Sequence, residues 1–425
     1  MLGVGSNVLV QVVIFGAQFL IVPVLALSWG LERYGTWLML STIPAYLALG
    51  DLGLGTAASN QMTMEVARGR EDLARDLFQH TFTLTLAAAM LLVAAGSAVA
   101  ALVPLGSTLT GSAGEGELRL ALGTLCAYGT VCLMFSLPNG SLKAVGLYHL
   151  SGLAMAFTMM VEALTACAVV LLGGDFFHVA LGYLAVRTCT MVVLYRLLRQ
   201  RAPWVKLGLR CPTRDDVSRL IPPALSVLAF TGAQALVFQG STLVIGLAAS
   251  SAVVAGFTTV RTLTRLGVQA VVLVNRAVMP EFSRAWAQGN VRAVRSIVRT
   301  TILSSVAVTL PIAVLLVLFG DWFVRRWTGG VVDPDATLLY LMVAVMLANA
   351  LWTPASGLLL AVNRQSSFSY RYTALAAASL TLSYFLCQGL GATGAAVGLL
   401  CLDLTMCAIV VPRLLRIART LQPSD

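Results

Sequence analysis

Charge is scarce in this sequence. Asp, Glu, Lys and Arg make up only 11% of its 425 residues, while apolar residues reach 58%. An ordinary soluble domain has about 25% charged residues. These proportions exclude a soluble globular protein and place most of the chain in an apolar environment.

Residues that perform chemistry are equally scarce. The chain has three histidines and no glycine-rich phosphate loop, and its eight cysteines lack the CxxC or Cys/His spacing of a metal site. Only Cys211 falls in a polar loop, so the others are interpreted as small buried hydrophobic residues. No loop is long enough to hold the active site of a polymerase or ligase. The sequence therefore predicts no catalytic residue, no metal ligand and no bound cofactor.

Twelve apolar runs, each about as long as the roughly 20 residues that cross a bilayer, predict twelve transmembrane helices. Helices satisfy their own backbone hydrogen bonds in lipid, so the fold class is an all-α polytopic membrane protein. The predicted helices cover 4–27, 34–59, 78–103, 118–137, 148–172, 177–198, 220–247, 252–279, 296–319, 336–361, 367–388 and 392–415.

The net charge of +10 is spread along the ends of the apolar runs and forms no basic patch with interleaved aromatics, so nucleic acid is not an expected partner. Most Lys and Arg residues fall in alternate loops, and the opposite loops hold only Arg33, Arg119, Arg325 and Arg326. Because basic loops remain in the cytoplasm, both termini are predicted to be cytoplasmic.

The longest of these basic connections divides the helices into two sets of six. We expect an N-terminal lobe at 1–200, a cytoplasmic linker at 201–219 and a C-terminal lobe at 220–425. A weak internal repeat supports the division. The segment at Pro138 resembles the segment at Pro354, and Gly69 recurs as Gly289, at shifts of about 216 to 221 residues.

Predicted helix 8 carries the strongest polar stripe, with Thr258, Arg261, Arg265 and Gln269 on one face. An Arg at a helix centre costs about 2.5 to 3.5 kcal/mol in lipid, so Arg261 and Arg265 should face a wet cavity or a partner. Two like charges one turn apart also need an anion between them, and that anion could be a substrate or a carboxylate of the protein.

Polar residues on other helices are candidates for the same cavity, although adhesion between helices through Ser, Thr, Asn and Gln is a common alternative. The remaining cavity-lining candidates are Asn7, Gln11 and Gln18 on helix 1, Asp51 on helix 2, Gln234 on helix 7 and Asn349 on helix 10.

Three acids and three arginines lie inside predicted helices. The acids are Asp51, Glu162 and Asp403, and the arginines are Arg187, Arg261 and Arg265. Each acid could either bind a coupling ion or form an ion pair with one of the arginines. Asp51 and Glu162 are the candidate sites for a coupling ion, H⁺ or Na⁺, since Glu162 has Thr158 and Thr165 on its own face. Asp403 and Arg187 are interpreted as structural partners.

The order YGTWLML, YLALGDLGLGTAASN and VARGRED, between Tyr34 and Asp72, resembles helix 2 and its inner loop in the polysaccharide-transporter flippases. These belong to the superfamily of multidrug, oligosaccharidyl-lipid and polysaccharide exporters. The resemblance implies two six-helix lobes in a V, with a cavity lined by helices 1, 2, 7 and 8.

The resemblance also implies a cargo, an oligosaccharide carried by undecaprenyl diphosphate, which a functional monomer would move between leaflets by alternating access. Arg261 and Arg265 would hold the diphosphate while the prenyl tail stays in lipid. Asp51 would orient these arginines or form a close-packed hinge with helix 1. The resemblance further implies a location in the inner membrane of a bacterium, with membrane lipids and the polysaccharide polymerase machinery as candidate partners.

Two other functions stay open at this point. A cation-coupled multidrug exporter of the same superfamily would use Asp51 or Glu162 for coupling, but the basic helix 8 does not suit the acidic, aromatic cavity that such exporters need. A membrane polymerase or glycosyltransferase would need a pair of catalytic carboxylates in a large loop, and the sequence offers none.

Overall fold

Twelve helices make up the regular structure in the part of the chain that the computed structural model describes, which is 2–48, 54–102, 114–210, 214–361 and 366–420. They are α1 (Leu2–Ala48), α2 (Leu54–Ala67), α3 (Glu71–Leu102), α4 (Glu115–Ala144), α5 (Tyr148–Leu171), α6 (Phe176–Arg201), α7 (Arg214–Ala248), α8 (Ser251–Ala287), α9 (Val291–Trp327), α10 (Ala336–Ala361), α11 (Ser366–Leu390) and α12 (Ala392–Thr420).

The all-α membrane fold predicted from the sequence is confirmed, since each predicted helix overlaps observed helical structure. Within the described residues, nine segments are long and apolar enough to cross a membrane. The predicted helix at 34–59 begins in α1 and ends in α2, and residues 49–53 lie outside the described residues. The first two predicted helices share α1, which is broken only at Gly30 (φ 73°, ψ 171°). Almost only glycine adopts such a conformation.

Several helices begin at a polar side chain that accepts a hydrogen bond from the first turn. Asp175 caps α6, Ser250 caps α8 and Asn290 caps α9. The first backbone N–H groups of a helix have no partner within it, so these oxygens satisfy part of that need. α9 is therefore one continuous helix from Val291, and its basic first turns are not a separate segment.

The chain divides into two compact units, Met1–Ala235 and Leu236–Asp425, and the division falls within α7. In the first unit, α4 is the central helix and packs against α1, α2, α3 and α6. The segment 201–219, which the sequence assigned to a linker, contributes Trp204 and Val205 to a buried cluster with Phe78 and Leu198. This segment therefore belongs partly to the core of the first unit.

In the second unit, α10 packs against α8, α9 and α12, and α12 packs against α11. Small residues bring α11 and α12 close together. The hydroxyl groups of Ser379 and Ser383 donate to the backbone oxygens of Gly398 and Ala395, at 2.8 and 3.4 Å. Such contacts hold helices together in lipid, where no hydrophobic force drives association.

The internal repeat extends to tertiary packing. In the first unit, the hydroxyl of Ser59 on α2 donates to the backbone oxygen of Gly140 on α4 at 2.9 Å. In the second unit, the side chain of Asn275 on α8 lies against Gly357 on α10, at the position a Cβ would occupy. Asn275 and Gly357 follow Ser59 and Gly140 at the shift expected from the repeat. In both units, a polar side chain therefore packs on a glycine of the central helix.

The turns that follow these helices are also equivalent. Gly69 after α2 and Gly289 after α8 both have a positive φ, 73° and 64°. In each turn the next residue donates its N–H to a carbonyl of the preceding helix, Arg70 to Glu65 and Asn290 to Ala285. A left-handed glycine at this position is a common way to end a helix.

Candidate functional site

The two arginines of the predicted site lie on α8 in the second unit. α8 starts at its Ser250 cap and carries Thr258, Arg261 and Arg265 at helical spacing, so their side chains share a face. Arg261 is buried and Arg265 is half-buried. The structure therefore brings both predicted phosphate-binding residues together on one face of α8.

Arg261 is held by α7. One of its terminal nitrogens, Nη1, donates to the backbone oxygen of Phe238 and to the hydroxyl of Ser241, both at 2.8 Å. The other, Nη2, donates to the hydroxyl of Thr242 at 2.9 Å. These neutral acceptors satisfy much of the guanidinium. Arg261 consequently fixes α8 against α7.

Arg265 is bound much less. Its guanidinium lies 4.3 Å from the centroid of the Phe238 ring, and the Arg261 guanidinium lies 4.1 Å from the same centroid. Among the described residues, Arg265 has no hydrogen bond and no ion pair. A cation over an aromatic face gains about 0.5 to 2 kcal/mol, which orients the group but leaves its five N–H donors unused.

Nothing in the sequence indicated that Phe238 belongs to this site. It lies between Gln234 and Ser241 of the polar stripe on α7, but a phenylalanine in an apolar helix gives no separate signal. Its ring faces both cations. We name Phe238, Arg261 and Arg265 the arginine site.

The other polar candidates near the arginines in sequence are Thr258 and Gln269 on α8 and Gln234 on α7. Thr258 is buried, and its hydroxyl oxygen has no hydrogen-bond partner in the described part of the chain. Gln269 is half-buried on α8, and Gln234 is exposed on α7, in the first unit.

The cavity candidates on α1 fall in the first unit. Gln11 on α1 is buried and Gln18 is half-buried. The side chain of Asn7 and the whole of Asp51 lie outside the described residues.

Glu162 on α5 and Arg187 on α6 form a buried ion pair inside the first unit. Arg187 Nε donates to Glu162 Oε1 at 2.8 Å, and Arg187 Nη2 donates to Oε2 at 2.7 Å. The Tyr128 hydroxyl on α4 donates to Oε1 at 3.2 Å and accepts from Nη2 at 3.1 Å. Both carboxylate oxygens are thus occupied. An ion coupled at Glu162 would have to compete with Arg187.

Asp403 on α12 has a different environment. Its Oδ1 accepts from Trp352 Nε1 at 2.7 Å and from Asn349 Nδ2 at 3.3 Å, and both donors lie on α10. Asn349 Oδ1 in turn accepts from Thr353 at 2.7 Å. No cationic side chain pairs with Asp403 in the described ranges. Asn349, predicted to line the cavity, therefore belongs to a polar network between helices of one unit.

These two networks occupy equivalent places in the repeat. Asp403 follows Arg187 by the repeat shift, and Trp352 follows Phe135, whose ring lies 5.1 Å from the Arg187 guanidinium carbon. α6 in the first unit and α12 in the second thus each bury one charged residue against an aromatic residue, which lies on α4 or α10. The sign of the charge differs between the units.

The described residues contain no group of three His, Cys, Asp or Glu side chains that could hold a metal ion. Seven cysteines in these ranges are free thiols, and Cys211 lies outside them. The candidate functional site is the pair of arginines on α8.

Comparisons with known proteins agree on the fold. The profile of a family described as polysaccharide biosynthesis protein matches residues 2–286. The inward-facing structure of a multidrug resistance MATE family transporter of the MOP superfamily superposes with a TM-score of 0.79 at 16% identity, covering 96% of this chain and 94% of that one. Its outward-facing structure gives 0.64 at 15% identity over 99% and 96% of the chains.

A MOP superfamily transporter from Pyrococcus furiosus gives a TM-score of 0.63 at 18% identity, over 99% of this chain and 95% of that one. Its structure is described as having a binding pocket of reverse polarity that suggests a different function. No curated protein sequence matches the chain. At these identities the structures establish a shared fold, which is that of the MOP superfamily.

Proposed function

The chain belongs to the polysaccharide biosynthesis protein family, and we propose that it is a flippase for an oligosaccharide carried by undecaprenyl diphosphate. The cargo would pass from the cytoplasmic to the outer leaflet by alternating access. One observation carries the proposal: Arg265 is half-buried on α8 and its donors are unused within the described chain. The sequence predicts that this helix crosses the membrane.

An unpaired guanidinium in the membrane is costly and therefore usually serves a function. Its planar fork of donors matches phosphate and carboxylate oxygens, and bidentate pairs of this type are among the strongest hydrogen bonds in proteins. A diphosphate offers several such oxygens. The Phe238 ring would hold the Arg265 fork in one plane before the cargo arrives, which reduces the entropy lost on binding.

Arg261 and Arg265 then have separate roles. Arg265 contacts the diphosphate, and Arg261 positions Phe238 through its bonds to α7 while adding positive potential. Polar residues such as Gln269 would contact sugar hydroxyls. The prenyl chain would stay in lipid because its transfer into a polar cavity would be unfavourable.

A second candidate function is cation-coupled multidrug export, which the fold shared with a multidrug resistance MATE transporter favours. Such a protein would use Asp51 or Glu162 as the coupling carboxylate. Two arguments rank it second. Glu162 is engaged by Arg187, and a basic α8 repels the cationic drugs that an acidic cavity would attract.

The test is transport of a fluorescent undecaprenyl-diphosphate oligosaccharide by the purified protein in liposomes. Arg265→Gln is expected to lower transport about 10- to 100-fold, because charge-assisted hydrogen bonds contribute about 1.5 to 3 kcal/mol. Its thermal stability should change little, since Arg265 has no hydrogen bond to lose within the described chain and removal of a half-buried charge offsets the lost contact with the Phe238 ring. Arg265→Lys should keep part of the activity, because it retains the charge but not the fork.

Arg261→Gln is the matched control on the same face. It is expected to lower stability by about 1 to 3 kcal/mol, since three acceptors on α7 lose their donor. Wild-type transport by Arg265→Gln would refute the assigned role. In cells, deletion of the gene should cause lipid-linked oligosaccharide to accumulate on the cytoplasmic side. Drug hypersensitivity without that accumulation would favour the second function.

A further inference from the structure

A cleft of about 580 Å³ lies in the first unit and shares no residue with the arginine site. Its walls come from the start of α3, the end of α4 and the end of α6, so it lies at one end of the helices. Phe78, Phe82 and Leu137 form apolar walls, and Val192 on α6 is 40% exposed. The volume falls within the roughly 300 to 1,000 Å³ typical of ligand pockets.

The segment after α6 completes the cleft. Leu207 lies at its edge and donates its N–H to the Tyr195 hydroxyl at 3.3 Å. Gln79 Nε2 on α3 donates to the backbone oxygen of Lys206 at 3.1 Å. These bonds join α3 and α6 through the segment, so the cleft is preformed.

Two arginines, Arg196 and Arg199, line the cleft at the polar end of α6, and both are exposed. In the described part of the chain, neither has an ion pair or a hydrogen bond. Nearby basic residues differ, because Arg210 pairs with Asp76 and Arg75 pairs with Asp72. Asp72 and Asp76 are thus paired with other arginines, whereas Arg196 and Arg199 keep their donors at the cleft.

A second cleft provides an internal comparison. It also measures about 580 Å³ and lies between α5 and α6, lined by residues such as Leu153, Phe157 and Val193. No charged residue lines it. An acyl chain could enter either cleft, but only the first offers a partner for an anionic head group.

We propose that the cleft between α3, α4 and α6 binds an anionic phospholipid, with an acyl chain against Phe82 and Val192 and its phosphate between Arg196 and Arg199. Apolar walls bounded by unpaired cations are complementary to an amphiphilic anion. The positive-inside pattern assigns this end to the cytoplasmic leaflet, where anionic lipids are enriched. The site is independent of the proposed cargo and of the arginine site.

The test is native mass spectrometry of the full-length protein in detergent, titrated with dioleoyl phosphatidylglycerol or with dioleoyl phosphatidylcholine. The two lipids share their acyl chains, so a difference reports the head group. We expect tighter binding of phosphatidylglycerol. Each arginine near an anionic lipid contributes roughly a fivefold gain, so Arg196→Gln with Arg199→Gln should weaken this binding about 30-fold.

Two further variants distinguish binding of the lipid in the cleft from nonspecific electrostatic attraction to the protein. Arg292→Gln with Arg299→Gln removes two exposed arginines from α9 and should leave phosphatidylglycerol binding unchanged. Val192→Trp fills the cleft from its exposed edge and should weaken binding of phosphatidylglycerol although both arginines remain.

Equal binding of the two lipids by the wild-type protein would overturn the proposal. So would equal losses in the α6 and α9 double variants, because the effect would then be a property of net charge. Loss of phosphatidylglycerol preference in the α6 variant with unchanged oligosaccharide transport would support the site and leave the proposed function standing.

Discussion

The buried pair of Glu162 and Arg187 allows a sharp prediction about stability. The two side chains are only 9% and 7% exposed, and two hydrogen bonds join them directly. Glu162→Gln would remove the negative charge while keeping the size of the side chain. It would leave a buried guanidinium with the Tyr128 hydroxyl and one amide oxygen as its nearby acceptors.

The expected cost follows from the asymmetry of buried ion pairs. Removal of one partner typically costs about 3 to 5 kcal/mol, because the other charge stays buried without compensation. Replacement of a whole network by apolar residues is often neutral or stabilising. We therefore expect Glu162→Gln to lose about 3 to 5 kcal/mol, a fall of roughly 100- to 4,000-fold in the ratio of folded to unfolded protein. The triple variant Glu162→Leu, Arg187→Met and Tyr128→Phe should recover most of the lost free energy of unfolding.

The assay is thermal unfolding in detergent, followed with a thiol-reactive dye that reports exposure of the buried Cys126 and Cys167. Liposome transport measured on the same samples separates folding from coupling. A triple variant as unstable as Glu162→Gln would refute the argument, because the loss would then come from packing. A stable triple variant that does not move cargo would instead assign Glu162 to ion coupling.

Two further predictions concern the second unit. Asp403→Asn should unfold at the same or a higher temperature than the wild type. The amide oxygen can still accept hydrogen bonds from Trp352 and Asn349, and no buried charge remains. Marked destabilisation would show that a bound cation needs the carboxylate. Gly357→Ala should lower the free energy of unfolding by about 1 to 3 kcal/mol, because its Cβ would overlap the side chain of Asn275. If steric overlap is the cause, a double variant with Asn275→Ala should regain part of that stability.

Much of the fold could be predicted from the sequence because helix length and apolar composition are imposed by the bilayer. The predicted starts were less accurate where a helix extends past its apolar part. α9 begins at Val291, although the prediction began at 296. Its first turns alternate exposed arginines with buried Val294 and Val298, and the Asn290 cap starts them. A search for apolar runs does not detect such an amphipathic extension.

The arginine site was predictable in part. Arg261 and Arg265 stand out because charge in the membrane is costly, and their shared face follows from helical spacing. Their different environments were not predictable, since they depend on which oxygens and rings of α7 lie opposite. Phe238 carries no signal of its own in an apolar helix.

Pairing between helices was the least predictable feature. The sequence supplies Glu162, Arg187 and Asp403, and it allows several ways to pair them. The structure joins Glu162 to Arg187 and gives Asp403 neutral donors instead. That choice depends on which helices are neighbours. The repeat shift relating Arg187 to Asp403 was available from the sequence, but it relates positions and not charges.

The anchoring of the segment after α6 decides where the protein can be cut in two. Ala202, Trp204 and Val205 are buried in the first unit, and Arg210 donates its backbone N–H to Thr83 at 3.1 Å. A co-expressed pair of fragments divided at Ala202 would separate these residues from the half that they complete. Division after Arg210 would keep them with that half. Split-protein reporters and inserted affinity tags should therefore be placed after Arg210.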